Sequence, residues 1–337
     1  MTIRVLIVDD SATMRALLSV RLAKENDIEV VAAAADAAEA RQLIKTLDPD
    51  VVTLDIEMPN MDGLSFLEKI MALRPTPVII VSGATQAGAE ATARALALGA
   101  VDCYAKGNRE GALLDDDGGQ LASLIRQAAR VRFDTPARAR HRLQGRAAQD
   151  CKLLAIGSST GGVEALDHLL RAFPADCPPT LIVQHINANF AGAVARRLDE
   201  VCPANVLLAE SDMVLKRGHV YFAPGGDRHL LVAGQSQWTT KLRAGDPVSG
   251  HRPSVDCLFT SVAQTVGADA TGILLTGMGS DGARGLLHLR QAGAFTIAQD
   301  EASCTVFGMP RAAIDMGAAC VVAPLTDIAA HALRKAA

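Results

Sequence analysis

Aromatic side chains are scarce in this sequence, only 3% of 337 residues, too few to supply the successive stacking platforms that single-stranded nucleic acid requires. Positive charge is not in excess either. A formal net charge of -4 gives no electrostatic drive toward a polyanion or an anionic bilayer, so no nucleic-acid partner is expected. No apolar run approaches the roughly 20 residues that span a bilayer. The segment Met1 to Asp10 also carries the pair Asp9-Asp10 where a signal peptide would need its cleavage region. A cytoplasmic protein without membrane insertion is expected. Missing too is any Cys-x-x-Cys pair: Cys103, Cys151, Cys177, Cys202, Cys257, Cys304 and Cys320 stand apart, with no histidine at metal-ligand spacing. They read as reduced, mostly buried small hydrophobes.

What the sequence does have is apolar content, 49%, and enough length for two cores of ordinary domain size. The first 125 residues alternate short β-branched runs with longer amphipathic stretches, the pattern of a parallel sheet covered by helices on both faces. Strands are predicted at Ile3 to Val8, Glu29 to Ala33, Val51 to Leu54, Pro77 to Val81 and Val101 to Tyr104. Helices are predicted at Ala12 to Lys24 and Leu64 to Leu73, with Ser11 as the first N-cap. From 126 to 150 the pattern dissolves: Arg126 to Gln149 holds seven arginines and one acid, Asp134. That stretch reads as an interdomain linker, either a solvated hinge or a basic docking arm. A second α/β alternation fills 151–337, with strands at Leu153 to Ile156, Thr180 to Val183, Gly272 to Leu275 and Cys320 to Val322. Breakers such as Arg217-Gly218 and Pro224-Gly225-Gly226 divide Val206 to Arg243, which suggests an antiparallel excursion from a doubly wound, mainly parallel sheet.

Open parallel sheets bind ligands at the carboxyl ends of their strands. In the first domain those ends carry Asp9 and Asp10, Asp55, Ser82, and then Lys106. Three carboxylates brought together stay ionised cheaply only around a cation, and an all-oxygen set favours a hard ion such as Mg2+. A solvated acidic rim explains any one of these residues, but not the set at successive strand ends. Val8-Asp9-Asp10-Ser11, the run Asp55 to Gly63, Ser82 and Lys106 resemble the receiver domain of response regulators, a flavodoxin-like (βα)5 fold with a parallel five-stranded sheet. The resemblance implies that Asp55 takes a phosphoryl group from a phosphohistidine kinase. It also implies that Asp9, Asp10 and Asp55 hold Mg2+, and that Ser82 and Lys106 contact the phosphoryl oxygens. Gly107 stands where the family usually has proline, and Cys103 where an aromatic switch residue is common.

In the second domain Leu153 to Ile156 runs into Gly157-Ser158-Ser159-Thr160-Gly161-Gly162 and a helical stretch, Val163 to Phe173. Two readings compete for that turn: a phosphate cradle at a helix N-terminus, or a Gly-x-Ser-x-Gly elbow with Ser159 at its tip. The Walker lysine and the full Gly-x-Gly-x-x-Gly are absent, which puts the cradle second. A serine nucleophile needs a histidine to take its proton and an acid to orient that histidine. His185 follows a strand, where it serves as the base or simply as a core histidine. Asp281 ends Leu274 to Gly282, where it orients His185 or caps the helix Gly282 to Ala292.

The Ser, His, Asp order along the chain fits none of the common hydrolase families. Gly157 to Gly162, Gln184-His185, Tyr221 to Gly226, His251 to Asp256 and Thr276 to Gly282 instead resemble the catalytic domain of the chemotaxis methylesterase family. That resemblance implies Ser159 as nucleophile, His185 as general base and acid, and Asp281 as orienting acid. Backbone N–H groups near Thr160 and Met278 would form the oxyanion hole, and His251 and Arg252 either line the cleft or form surface ion pairs. Implied with it are hydrolysis of glutamyl γ-methyl esters on methyl-accepting chemoreceptors, deamidation of receptor glutamines, no cofactor in the esterase site, and a receiver that blocks the cleft until Asp55 is phosphorylated. Two other readings keep the receiver: a serine esterase or amidase for another protein, or a non-catalytic binding module.

Overall fold

The computed structural model describes residues 2–58, 61–83, 85–106, 119–131, 133 and 151–333. The chain divides after Phe133 into two compact units. Gly107 and the arginine-rich stretch from 134 to 150 lie outside the described residues. No described helix is long and apolar enough to cross a membrane.

The first unit runs β1 (Ile3–Val8), α1 (Ala12–Leu22), β2 (Ile28–Ala34), α2 (Ala37–Leu47), β3 (Val51–Leu54), β4 (Glu57–Met58), β5 (Met61–Asp62), α3 (Gly63–Leu73), β6 (Val78–Ser82), α4 (Gln86–Ala97), β7 (Asp102–Ala105) and α5 (Gln120–Ala128). Its five-stranded sheet has the order β2-β1-β3-β6-β7, with every pair parallel. Val5 to Val8, Val51, Val52 and Val78 to Val81 are buried almost completely, as expected of strands covered on both faces. Ser11 caps α1 by accepting the Met14 N–H. The helix α5 continues to Ala128, past the boundary expected at 125. Arg126 is part of this unit, bound to Asp27 and Glu25 near β2.

The second unit runs β8 (Leu153–Ser158), α6 (Gly162–Arg171), β9 (Thr180–Gln184), α7 (Ala188–Val201), β10 (Asn205–Leu208), β11 (His219–Phe222), β12 (Arg228–Ala233), β13 (Thr239–Ala244), α8 (Val255–Thr265), β14 (Ala270–Leu274), α9 (Ala283–Gln291), β15 (Phe295–Gln299), α10 (Met309–Asp315), β16 (Val321–Ala323) and α11 (Leu325–Ala332). Its seven-stranded sheet has the order β10-β11-β9-β8-β14-β15-β16, again with every pair parallel. One face presents Leu153, Ala155, Leu181, Val183, Tyr221 and Leu274 to α8 and α9 through Leu258, Phe259, Val262, Leu286 and Leu289.

The antiparallel excursion is narrower than expected. Between 205 and 244, β12 and β13 are the strands that pair antiparallel, whereas β10 and β11 extend the main sheet in parallel. A four-residue run such as His219 to Phe222 carries no local mark of its partner's direction, which is decided by the connection 209–218 that returns the chain from β10 to start β11 alongside it in parallel. The strand β15 was not foreseen from the sequence.

Candidate active site and phosphoryl pocket

Both sheets have a switch point where successive crossovers leave in opposite directions, and the polar residues gather there. In the first unit it lies between β1 and β3, where the Asp55 amide bonds the Val8 carbonyl at 2.9 Å. Asp9 and Asp55 are buried and Asp10 is exposed. The three each offer a carboxylate oxygen, all within 4.8 Å of one another. Lys106 Nζ lies 2.5 Å from Asp55 Oδ2 and 3.0 Å from Asp9 Oδ2. Asp9 Oδ2 makes no well-directed hydrogen bond, and burial, outweighing the attraction of Lys106, pushes its carboxyl above the usual range. Three carboxylate oxygens gathered within reach of one another, two of them on buried residues, form an all-oxygen set that fits a hard divalent cation. Ser82, at the end of β6, donates its hydroxyl to the carbonyls of Gly88 at 3.3 Å and Gly83 at 3.4 Å. The pocket therefore brings together Asp9, Asp10, Asp55 and Lys106. The Ser82 hydroxyl is engaged with the backbone at the start of α4.

In the second unit the switch point lies between β8 and β14. Ser159 follows β8, and its amide donates to the Thr276 carbonyl just beyond β14 at 3.0 Å. Gly277 is required there: a Cβ at that position would fall 2.6 Å from Ser159 Cβ. Met278, the next residue, and Thr160, the residue after Ser159, thus sit in the two turns that meet at the serine. His185 follows β9, and its amide bonds the Ser158 carbonyl at 3.0 Å. Its ring Nε2 lies 2.8 Å from Asp281 Oδ2. An ionised carboxylate only accepts, so Nε2 carries the hydrogen and Nδ1 is the free base. That Nδ1 is buried and has no hydrogen-bond partner among the described residues.

Asp281 departs from the capping role that was its alternative. The N-cap of α9 is Gly282, and Asp281 sits instead at the N-terminus of α8. It accepts from Val255 N at 2.7 Å, Asp256 N at 3.0 Å and Ser254 Oγ at 2.8 Å, besides His185. Burial alone would raise its pKa. The hydrogen bond and charge of His185, with the Asp256 amide and Ser254, outweigh burial and hold the carboxyl below its ordinary value. A helix N-terminus adds its dipole in the same direction.

Three supporting residues were missed in the sequence. Gln184 takes the Ser158 hydroxyl at 2.6 Å and donates to the carbonyls of Ser159 and His185, at 2.8 and 3.0 Å. Ser254 is the N-cap of α8, a role that serine before a helical run does announce. His229, buried on β12, accepts the Ser254 amide at Nδ1 and donates Nε2–H to the Asp246 carbonyl; no sequence signal marks it. The ring of His251 stacks on that of His185, with centroids 3.7 Å apart and planes 5° apart. The guanidinium of Arg252 donates to the carbonyls of Gly226 and Gly245.

Residues 154–332 match the family model described as CheB methylesterase, and residues 5–116 match the response regulator receiver domain. The chain belongs to the CheB methylesterase family. A protein-glutamate methylesterase/protein-glutamine glutaminase of Caulobacter vibrioides is 54% identical over 94% of this chain and 93% of its own length. One of Bordetella bronchiseptica is 50% identical over 99% of this chain and 97% of its own. The CheB methylesterase catalytic domain of Thermotoga maritima is 35% identical, covers 54% of this chain and 97% of that one, and superposes with a TM-score of 0.53. The likeness to the CheB catalytic domain extends to the α/β architecture of the second unit, and the chain is an enzyme of the methylesterase family.

Proposed function

We propose that this chain hydrolyses glutamyl γ-methyl esters on methyl-accepting chemoreceptors in the cytoplasm and deamidates receptor glutamines at the same site. The observation that carries the reading is the Asp281–His185 pair next to the Ser158-Ser159 turn, with His185 Nδ1 buried and without a hydrogen-bond partner among the described residues. Ser159 Oγ attacks the ester carbon while Nδ1 takes its proton. The oxyanion is stabilised by the Thr160 and Met278 N–H groups. His185 returns the proton to the leaving methoxide, methanol departs, and the glutamyl acyl group remains on Ser159. Water, deprotonated by the same nitrogen, then releases glutamate. With a glutamine substrate, ammonia leaves in place of methanol. Asp281 stays ionised throughout and stabilises the imidazolium.

The first unit is the control. Asp55 carboxylate takes the phosphoryl group of a chemotaxis histidine kinase, and Lys106 pairs with the incoming charge. Asp9, Asp10 and Asp55 are the residues that would hold Mg2+, which neutralises phosphoryl oxygens when bound. An acyl phosphate on Asp55 would bring the phosphoryl oxygens within reach of Ser82 once its hydroxyl turns from the Gly88 carbonyl. The test of the esterase reading is methanol release from methylated receptor membranes by Ser159→Ala. Loss of at least about 10³-fold is expected, and release at the wild-type rate would overturn it.

A further inference from the structure

A general base held by a single hydrogen bond can still turn about that bond. Among the described residues the His185 ring is held along its edge by the Nε2 contact to Asp281, and a tilt of the ring about that contact would swing Nδ1 out of line with Ser159. The second restraint is the face of His251, parallel and 3.7 Å away. His251 is itself fixed: its amide and carbonyl exchange two 3.0 Å bonds with Val248 across a tight turn. The neighbouring Arg252 is tied to Gly226 and Gly245. The same short segment then supplies Ser254, Val255 and Asp256 to Asp281. One stretch of chain thus holds both the edge partner and the face of the base.

We propose that His251 is a positioning residue of the esterase reaction, whose flat ring fixes the plane of His185 and keeps Nδ1 turned toward Ser159. The inference rests on the esterase reading. Burial first, and then the charge of His185, hold the His251 imidazole down at about 4 against the pull of Asp281, so it is neutral at working pH. A neutral ring against His185 does not repel the imidazolium that forms when Ser159 gives up its proton, and it offers that cation a π face.

The test uses the full chain, with Mg2+ and a small phosphodonor present to load Asp55, and a fluorophosphonate, which labels an activated serine without any receptor. Wild type, Ser159→Ala, His251→Leu and His251→Phe are compared for labelling rate and for kcat and KM of methanol release. Trp238 fluorescence confirms that each variant is folded. We expect His251→Leu to label at least about tenfold more slowly, since small misplacements of a base are costly. His251→Phe, which restores the flat face, should label within about threefold of wild type, and both effects should fall on kcat with KM within about twofold. Wild-type labelling by His251→Leu, equal slowing by Leu and Phe, or an effect confined to KM would each overturn the inference. Wild type that fails to label would overturn the esterase reading, and the inference with it.

Discussion

Asp281 is the residue on which most of the site converges, and its four donors belong to one helix end and one histidine. Asp281→Asn keeps the shape but puts an N–H where an acceptor is needed, either against the α8 amides or against His185 Nε2. The second case forces His185 to the tautomer that carries the proton on Nδ1, and kcat should fall by about 10³ to 10⁴. Methanol release measured with KM resolved separately checks this. Acidity bears on the same residues. His251 binds its proton only near pH 4 when folded, against about 6.5 when unfolded. Between those values the unfolded chain holds the extra proton, so stability falls as pH drops from about 6.5 to 4, by up to about 1.4 kcal/mol per pH unit. The Asp281 contribution is lost at still lower pH, because its folded value lies below 3.8. The chain's one tryptophan, Trp238, packs against the core of the second unit and so reports that unit's unfolding. His251→Phe should show a shallower loss of Tm between pH 6.5 and 4.5, and slopes equal to wild type would contradict the assignment.

At the scale of elements, the helix pair α8 and α9 sets where Asp281 meets its cradle. Gly285 on α9 lies so close that a Cβ would fall 2.7 Å from Phe259 Cβ and 3.0 Å from Asp256 Cα. Gly285→Ala should push the helices apart at a cost of about 1–3 kcal/mol, lowering the Trp238-monitored Tm by roughly 2–4 °C per kcal/mol, with a parallel loss of activity. An unchanged Tm would show that the contact yields freely. The strand ends were the legible part of the sequence. Runs such as Ile3 to Val8 and Leu153 to Ser158 are apolar, bounded by polar turns, and chemistry at their carboxyl ends follows from the topology of open sheets. The placement of Ser159, His185 and Asp281 at the ends of β8, β9 and β14 was legible for that reason. Less legible were residues whose role depends on a distant neighbour. His229 matters only because Ser254 comes to its Nδ1, and the direction of β11 depends on a crossover that its own four residues do not encode.

For the whole molecule, the two units put unrelated reactions at equivalent places, each at the divergence of two crossovers in a parallel sheet. Asp55→Asn should abolish acid-labile label from a small phosphodonor, and with it any stimulation of methanol release by that donor. Label retained by this variant would remove Asp55 from the acceptor role. The bonded pair His185 and Asp281 is separated by 96 residues, and the acid is held by amides that exist as a cradle only once α8 has formed. In the time domain, a refolding chain then has no working base until α8 and α9 have both docked, so the onset of serine reactivity marks a late event in folding.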